Sequence, residues 1–220
     1  MTALEVRATL AGPICMPEHA IALDALLGAA VCVRDNVPPA TTAAELVPID
    51  IPIERSSCGR VYLASVAQFE VERYDMRFVN KRAPIEQYQA IGSPKIKTVS
   101  ITSGPNKSYR IPRETMHLVD DLIVWWCCGD ADAIRALLAL VYYLGKRRAV
   151  GLGKILRWDV EPVRRPWDGF PVLCEGEPIR TLPDDYPGLS PDADRGIAVL
   201  EPPYWDRTRE QLCAVPQAQR

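Results

Sequence analysis

The chain has 220 residues, 48% apolar and 25% charged, with a formal net charge of −2. That is enough apolar matter for one packed domain with a sizeable elaboration, and it excludes a mainly disordered chain. No apolar run approaches the roughly 20 residues that span a bilayer, and the opening MTALEVRATL has neither the basic nor the apolar region of a secretory signal, so a cytoplasmic protein off the membrane is expected.

Leu4, Val6, Ala8 and Leu10 alternate with Glu5, Arg7 and Thr9, which predicts a first strand with one wet face. Gly12 and Pro13 end it. Ile21, Leu23, Leu26, Leu27, Ala30 and Val31 then recur at helical spacing, so an amphipathic helix of about three turns is expected, ending near residues 34–36. Asp24 is expected on its wet side. Residues 37–57 are rich in Pro and Thr and read as a loop with at most a short strand at 49–53. Residues 61–67 and 69–79 read as strands. In the second, Glu70, Glu72, Tyr74, Met76 and Phe78 alternate with Val71, Arg73, Asp75 and Arg77, a pattern that suits a hairpin or a sheet with a wet face. Residues 80–113 are basic and rich in turns, and too long for a structureless loop in a compact domain. Short strands or a function are expected there.

The organising stretch is 120–163. An apolar run at 122–128, carrying Trp125 and Trp126, predicts a strand that Gly129 and Asp130 break. Its two Trp side chains should point to opposite faces, one under the helices and one onto a face that a partner can cover. Ile134, Leu137, Leu138, Val141 and Leu144 follow at helical spacing, with Asp130 or Asp132 as N-cap and Gly145 at the C-terminus. A basic glycine loop comes next: Lys146, Arg147, Arg148, Gly151, Gly153 and Lys154. Leu156, Trp158 and Val160 then alternate with Arg157, Asp159 and Glu161, a half-buried strand. Phosphate loops of dinucleotide and triphosphate sites lie after a strand and before a helix. This loop lies after a helix and before a strand, so any anion affinity must come from side-chain charge and bare glycine amides.

Charge is segregated. Residues 81–113 hold seven basic side chains and one acid, and residues 145–157 hold five basic side chains and no acid. Residues 166–220 hold ten acids and five Arg, in a Pro-rich stretch where Val172, Leu173, Ile179, Leu182, Ile197, Val199 and Leu200 can pin the chain down. Two basic segments in a mildly acidic chain imply a local polyanion site. Seven Cys without a Cys-x-x-Cys pair and only two His argue against a zinc site of the usual spacing and for reduced thiols. No metal or cofactor is expected.

The order is βα, a long β-rich insertion, then βαβ, close to an α+β ferredoxin-like (RRM-like) fold with an insertion and a C-terminal extension. Helices should cover one sheet face and leave the other free. The loop at 145–154, GKRRAVGLGK, resembles the glycine-rich loop before the last strand of RAMP-superfamily CRISPR-associated proteins. Pro17-Glu18-His19 followed by Leu23-Asp24-Ala25-Leu26-Leu27 also resembles RAMP subunits. The segments at 78–82 and 104–110 resemble the small, Cas-five-like RAMP subunit of type IV CRISPR effector complexes. The resemblance spans about residues 1–163; the acidic extension, 164–220, lies outside it.

The resemblance implies a non-catalytic scaffold that grips the 5′ handle of a crRNA and caps a filament of backbone RAMP subunits beside the large subunit. Target DNA is a further contact it implies. The RNA-binding candidates are Lys81, Arg82, Lys107, Tyr109, Arg110, Lys146, Arg147, Arg148, Gly151, Gly153 and Lys154. Tyr109 is a candidate to stack a base, or an ordinary strand aromatic, and each cation taken singly is an ordinary solvated charge. The alternative is a metal-independent endoribonuclease with His19 as base and Tyr109 or Lys107 assisting. Against it, His19 reads more simply as a residue at the start of a helix, and His117 as a strand-edge residue.

Overall fold

The structure is a computed structural model that describes residues 2–16, 21–38, 49–81, 100, 102 and 108–216. Among the described residues it is a mixed α+β arrangement of two α-helices and mostly antiparallel strands. The first strand, β1 (Thr2–Leu10), buries Leu4, Val6, Ala8 and Leu10, as its alternation predicts. It lies at the centre of a three-stranded antiparallel sheet, between β4 (Leu122–Gly129) and β5 (Ile155–Pro162). The expected strands at 49–53 and 61–67 form no regular strand. Instead 61–68 runs along the outer edge of β4 as an irregular extended segment, with Ala64 bridged to Cys127 and Gln68 to Val124. Ser65 completes the contact by donating its backbone N–H to Trp126.

Helix α1 (Leu23–Arg34) and helix α2 (Ala131–Leu138) pack against each other on one face of this sheet. Asp130 is the N-cap of α2, accepting from the N–H groups of Asp132 and Ala133 at 3.0 Å each. The end of α2 corrects the sequence reading: the helix stops at Leu138, not at Gly145. Residues 141–144 keep their apolar spacing but are extended, because β5 takes up their backbone groups. Ile155 donates to the Tyr142 carbonyl and Leu144 to Gly153, and the Trp158 indole donates to the Val141 carbonyl at 3.0 Å. Val141, Tyr142 and Tyr143 are themselves poor helix formers. A second correction lies in β5. Leu156 does not share the buried face with Trp158 and Val160; the register with β1 slips between Thr9 and Leu10, leaving Leu156 as the bulged residue, 64% exposed.

The two tryptophans do point to opposite faces. Trp125 is fully buried, packs on Trp158 at 5.7 Å and donates to the Ile21 carbonyl. Trp126 packs edge-on against Trp167, which in turn packs on Phe170. So the face opposite the helices is not free at this end. The chain's own C-terminal part lies over it.

That part, 164–216, is built around small strands: β6 (Leu173–Cys174) pairs with β7 (Glu177–Pro178), and β10 (Gln211–Ala214) lies between β8 (Leu182–Pro183) and β9 (Arg195–Ala198). Val172, Leu173, Leu182, Leu200, Cys213 and Ala214 make a second apolar cluster, and Val61 from the irregular edge segment joins it. Here the largest departure from sequence expectation occurs. Asp24 does not face water: it is fully buried, 3.2 Å from the guanidinium of Arg180, which is 2% exposed. Tyr204 donates to the same carboxylate at 2.7 Å, and Arg180 also donates to the carbonyls of Tyr62, Ala64 and Leu200. The seven cysteines are free thiols, and burial pushes the Cys127 thiol up to about 12.

Candidate nucleic-acid interface

Between α1 and β4 the chain extends a two-stranded antiparallel hairpin, β2 (Val71–Lys81) with β3 (Tyr109–Leu118). The long charged alternation predicts it. Its wet face carries Tyr74, Met76 and Phe78, each about half exposed, and across from them Met116, Glu114 and Pro112 in register, with Arg110 opposite Asn80 further along. The Arg110 guanidinium lies 4.0 Å from the centre of the Phe78 ring, a cation–π contact. On the other face His117 is 3.0 Å from the Asp75 carboxylate.

The segment after β1 ties this hairpin to the glycine loop. Ile14 exchanges both backbone hydrogen bonds with Met116, and Lys146 donates to the Cys15 carbonyl at 2.7 Å. Residues 14–16 are thus a short strip between β3 on one side and the start of the loop on the other. Two glycines let the loop close onto it. Gly145, at φ +73°, sits where a Cβ would be 2.5 Å from the Cys15 oxygen, and Gly153, at φ +64°, where one would be 2.1 Å from the Leu144 oxygen. The glycine amides therefore serve the loop's own closure. Gly153 donates to Pro13 and is buried. Gly151, at φ +84° with open space around it, is exposed.

A cleft of about 640 Å³ lies where these parts meet, lined by Cys15, Met16, Pro112, Arg113, Glu114 and the run Gly145 to Arg148. Lys146 and Arg148 are exposed and Arg147 is half-buried. Arg147 holds a left-handed backbone at φ 63°, a conformation that costs a non-glycine residue about 1–2 kcal/mol. Among the described residues none of Arg113, Lys146, Arg147 and Arg148 has an ion-pair partner, whereas eleven ion pairs to other Arg residues are made elsewhere. Cations held together without counter-charges leave their field to a ligand.

The structure thus gathers three of the eleven sequence candidates, Lys146, Arg147 and Arg148, at one cleft. Lys154 is exposed beyond it, bridged to Tyr143. Tyr109 and Arg110 lie on the hairpin's far end, where Tyr109 pairs with Lys81; Arg110 is about 13 Å along the strand from Glu114. His19, Arg82 and Lys107 lie outside the described residues. Arg113, Glu114 and Met16 are not among the sequence candidates, and Gly145 is there only as a helix end and the first residue of the loop. Cys15 and Met16 carry no sequence signal, since only the backbone pairing of Ile14 with Met116 and of Cys15 with Lys146 brings them here.

A model of the Csf3 family, described as CRISPR type IV associated protein Csf3, matches residues 2–216. The chain belongs to the Csf3 family. No curated protein matches it. The Csf3 match extends past residue 163, so the C-terminal part that the local motifs left out is within the family's span. Membership places the protein with a type IV CRISPR effector complex. Among the described residues no helix is long and apolar enough to cross a membrane, and no group of three or more His, Cys, Asp or Glu is gathered as a metal site.

Proposed function

We propose that this Csf3 protein is an RNA-binding scaffold subunit of the type IV effector ribonucleoprotein, working in the cytoplasm and gripping the 5′ handle of crRNA at the end of the backbone filament, beside the large subunit. One observation carries the reading: Arg113, Lys146, Arg147 and Arg148 line one cleft with no ion-pair partner among the described residues. Phosphate contacts of this type supply salt-dependent affinity and fix position. The exposed Tyr74 and Phe78, with Arg110 over Phe78, offer flat surfaces on which unstacked bases can lie.

The fold supports a RAMP unit at 1–163. With 61–68 counted as an irregular second strand, the strand order is β5, β1, β4, 61–68, all neighbours antiparallel, with both helices on one face. That is the ferredoxin-like order of a βαββαβ chain, with the β2–β3 hairpin and 82–108 inserted before the third strand. Residues 164–220 are its C-terminal elaboration.

The test is binding of labelled CRISPR-repeat RNA to the full chain over a salt series without metal, beside Lys146→Ala/Arg147→Ala/Arg148→Ala. Tight binding at low salt, with a salt slope that falls by about 2 in the variant, is expected. RNA should come back intact. Site-specific cleavage abolished by His19→Ala would replace the scaffold with the nuclease, and binding equal in protein and variant would sink the cleft as the RNA site.

A further inference from the structure

Glu114 is the odd residue in the cleft. It is the sole acid among the lining side chains, it is exposed, and it makes no ion pair or side-chain hydrogen bond with another described residue. A carboxylate among four cations weakens simple phosphate binding, and Arg113 is adjacent yet the two are not paired. An ionised carboxylate can only accept hydrogen bonds, and phosphate has none to offer. The cleft therefore holds an acceptor that backbone phosphates cannot use; in RNA its partners are a base edge or a ribose 2′-hydroxyl.

Its neighbours say what can use it. Glu114 is opposite Met76 in the β2–β3 register, and Phe78 lies opposite Pro112, the next residue on the same face. Met76 is 57% and Phe78 48% exposed. An apolar shelf thus adjoins the acceptor at the cleft's edge, and Lys146, Arg147 and Arg148 lie on the far side of that acceptor, across residues 14–16. A nucleotide needs these three things: a surface for the base face, a partner for the base edge and cations for the phosphate.

We propose that the cleft reads one unstacked base of the bound RNA and that Glu114 selects guanine. Guanine is the base whose pairing edge presents two adjacent donors, N1–H and N2–H, to the two carboxylate oxygens; adenine, cytosine and uracil present one donor group there. The proposal rests on the RNA-binding reading above and adds a specificity that reading does not contain.

The experiment uses the full chain and three short single-stranded RNAs that differ at one position: guanosine, inosine, which lacks the N2 amino group, or adenosine. The expected order is guanosine tightest, inosine between, adenosine weakest, with about tenfold between the ends. Glu114→Gln should collapse that order while binding adenosine RNA no more weakly, because a negative charge has left the cleft. Lys146→Ala/Arg147→Ala/Arg148→Ala should weaken all three by one factor and keep the order. Salt-sensitive binding without base preference, or a preference that survives Glu114→Gln, overturns the proposal and leaves the RNA interface standing. No binding of any RNA at low salt overturns both.

Discussion

The Asp24–Arg180 junction and the cleft use the same chemistry to opposite ends. At the junction one guanidinium is buried and every direction is answered: a carboxylate, a tyrosine hydroxyl and four carbonyls. At the cleft the guanidinium groups of Arg113, Arg147 and Arg148 and the Lys146 ammonium stand together without a counter-charge among the described residues. A charge that is buried must find its partner inside the fold, or desolvation makes it prohibitive. A charge left unanswered at the rim of a cleft costs the fold little, and what it gains must come from a ligand. The state of its partners, more than the residue type, separates a staple from a site.

The staple should give the largest effects. Arg180→Ala or Asp24→Ala leaves an uncompensated buried charge and should cost about 3–5 kcal/mol in urea unfolding. The double change Asp24→Leu/Arg180→Met should cost clearly less than the sum, and a strictly additive cycle would break the comparison. The junction also carries a pH signature. Burial first, then the Asp24 carboxylate, raises the Tyr204 hydroxyl well above its usual value of 10.0. Tyr204 is thus held neutral in the fold and ionises more readily in the unfolded chain. Its contribution should be fully present below about pH 10 and lost as the pH rises above it; Tyr204→Phe should flatten that decline.

Loop closure comes next. Gly153→Ala forces a Cβ against the Leu144 oxygen from a left-handed backbone and should cost about 2–3 kcal/mol in thermal unfolding. Gly151→Ala, with open space, should cost about 1 kcal/mol. Equal costs would mean that closure, not conformation, is wrongly placed. Asp130→Ala removes two capping bonds and should cost about 1 kcal/mol by the same assay. The smallest expected effect is on the cleft side. Lys146→Ala/Arg147→Ala/Arg148→Ala should leave stability within about 0.5 kcal/mol, since these groups pair with nothing described. A larger loss would make them part of the staple class and remove the contrast.

Much of the secondary structure was legible because it is local. The alternation in β1, the apolar run of β4, the Asp130 cap and the long hairpin strand each follow from spacing within about ten residues. One of the misread elements, the end of α2, shows the limit. Val141 and Leu144 fit a helix by spacing, and only the return of β5 beside them decides otherwise. The candidate site was legible in part for the same reason: Lys146, Arg147 and Arg148 are consecutive, whereas Arg113 and Glu114 reach them only through residues 14–16.

The sequence by itself determined that two basic segments and an acidic extension exist, where most strands and both helices begin, and that the loop at 145–154 is glycine-rich. Tertiary structure alone decided which charges meet. Asp24 and Arg180 are joined by packing across 156 positions, and the cleft by a strip of backbone pairing between Ile14 and Met116. Local patterns report on neighbours along the chain. Partnership between charges depends on distance in space and on burial, and those are set only once the sheet, the hairpin and the extension have packed.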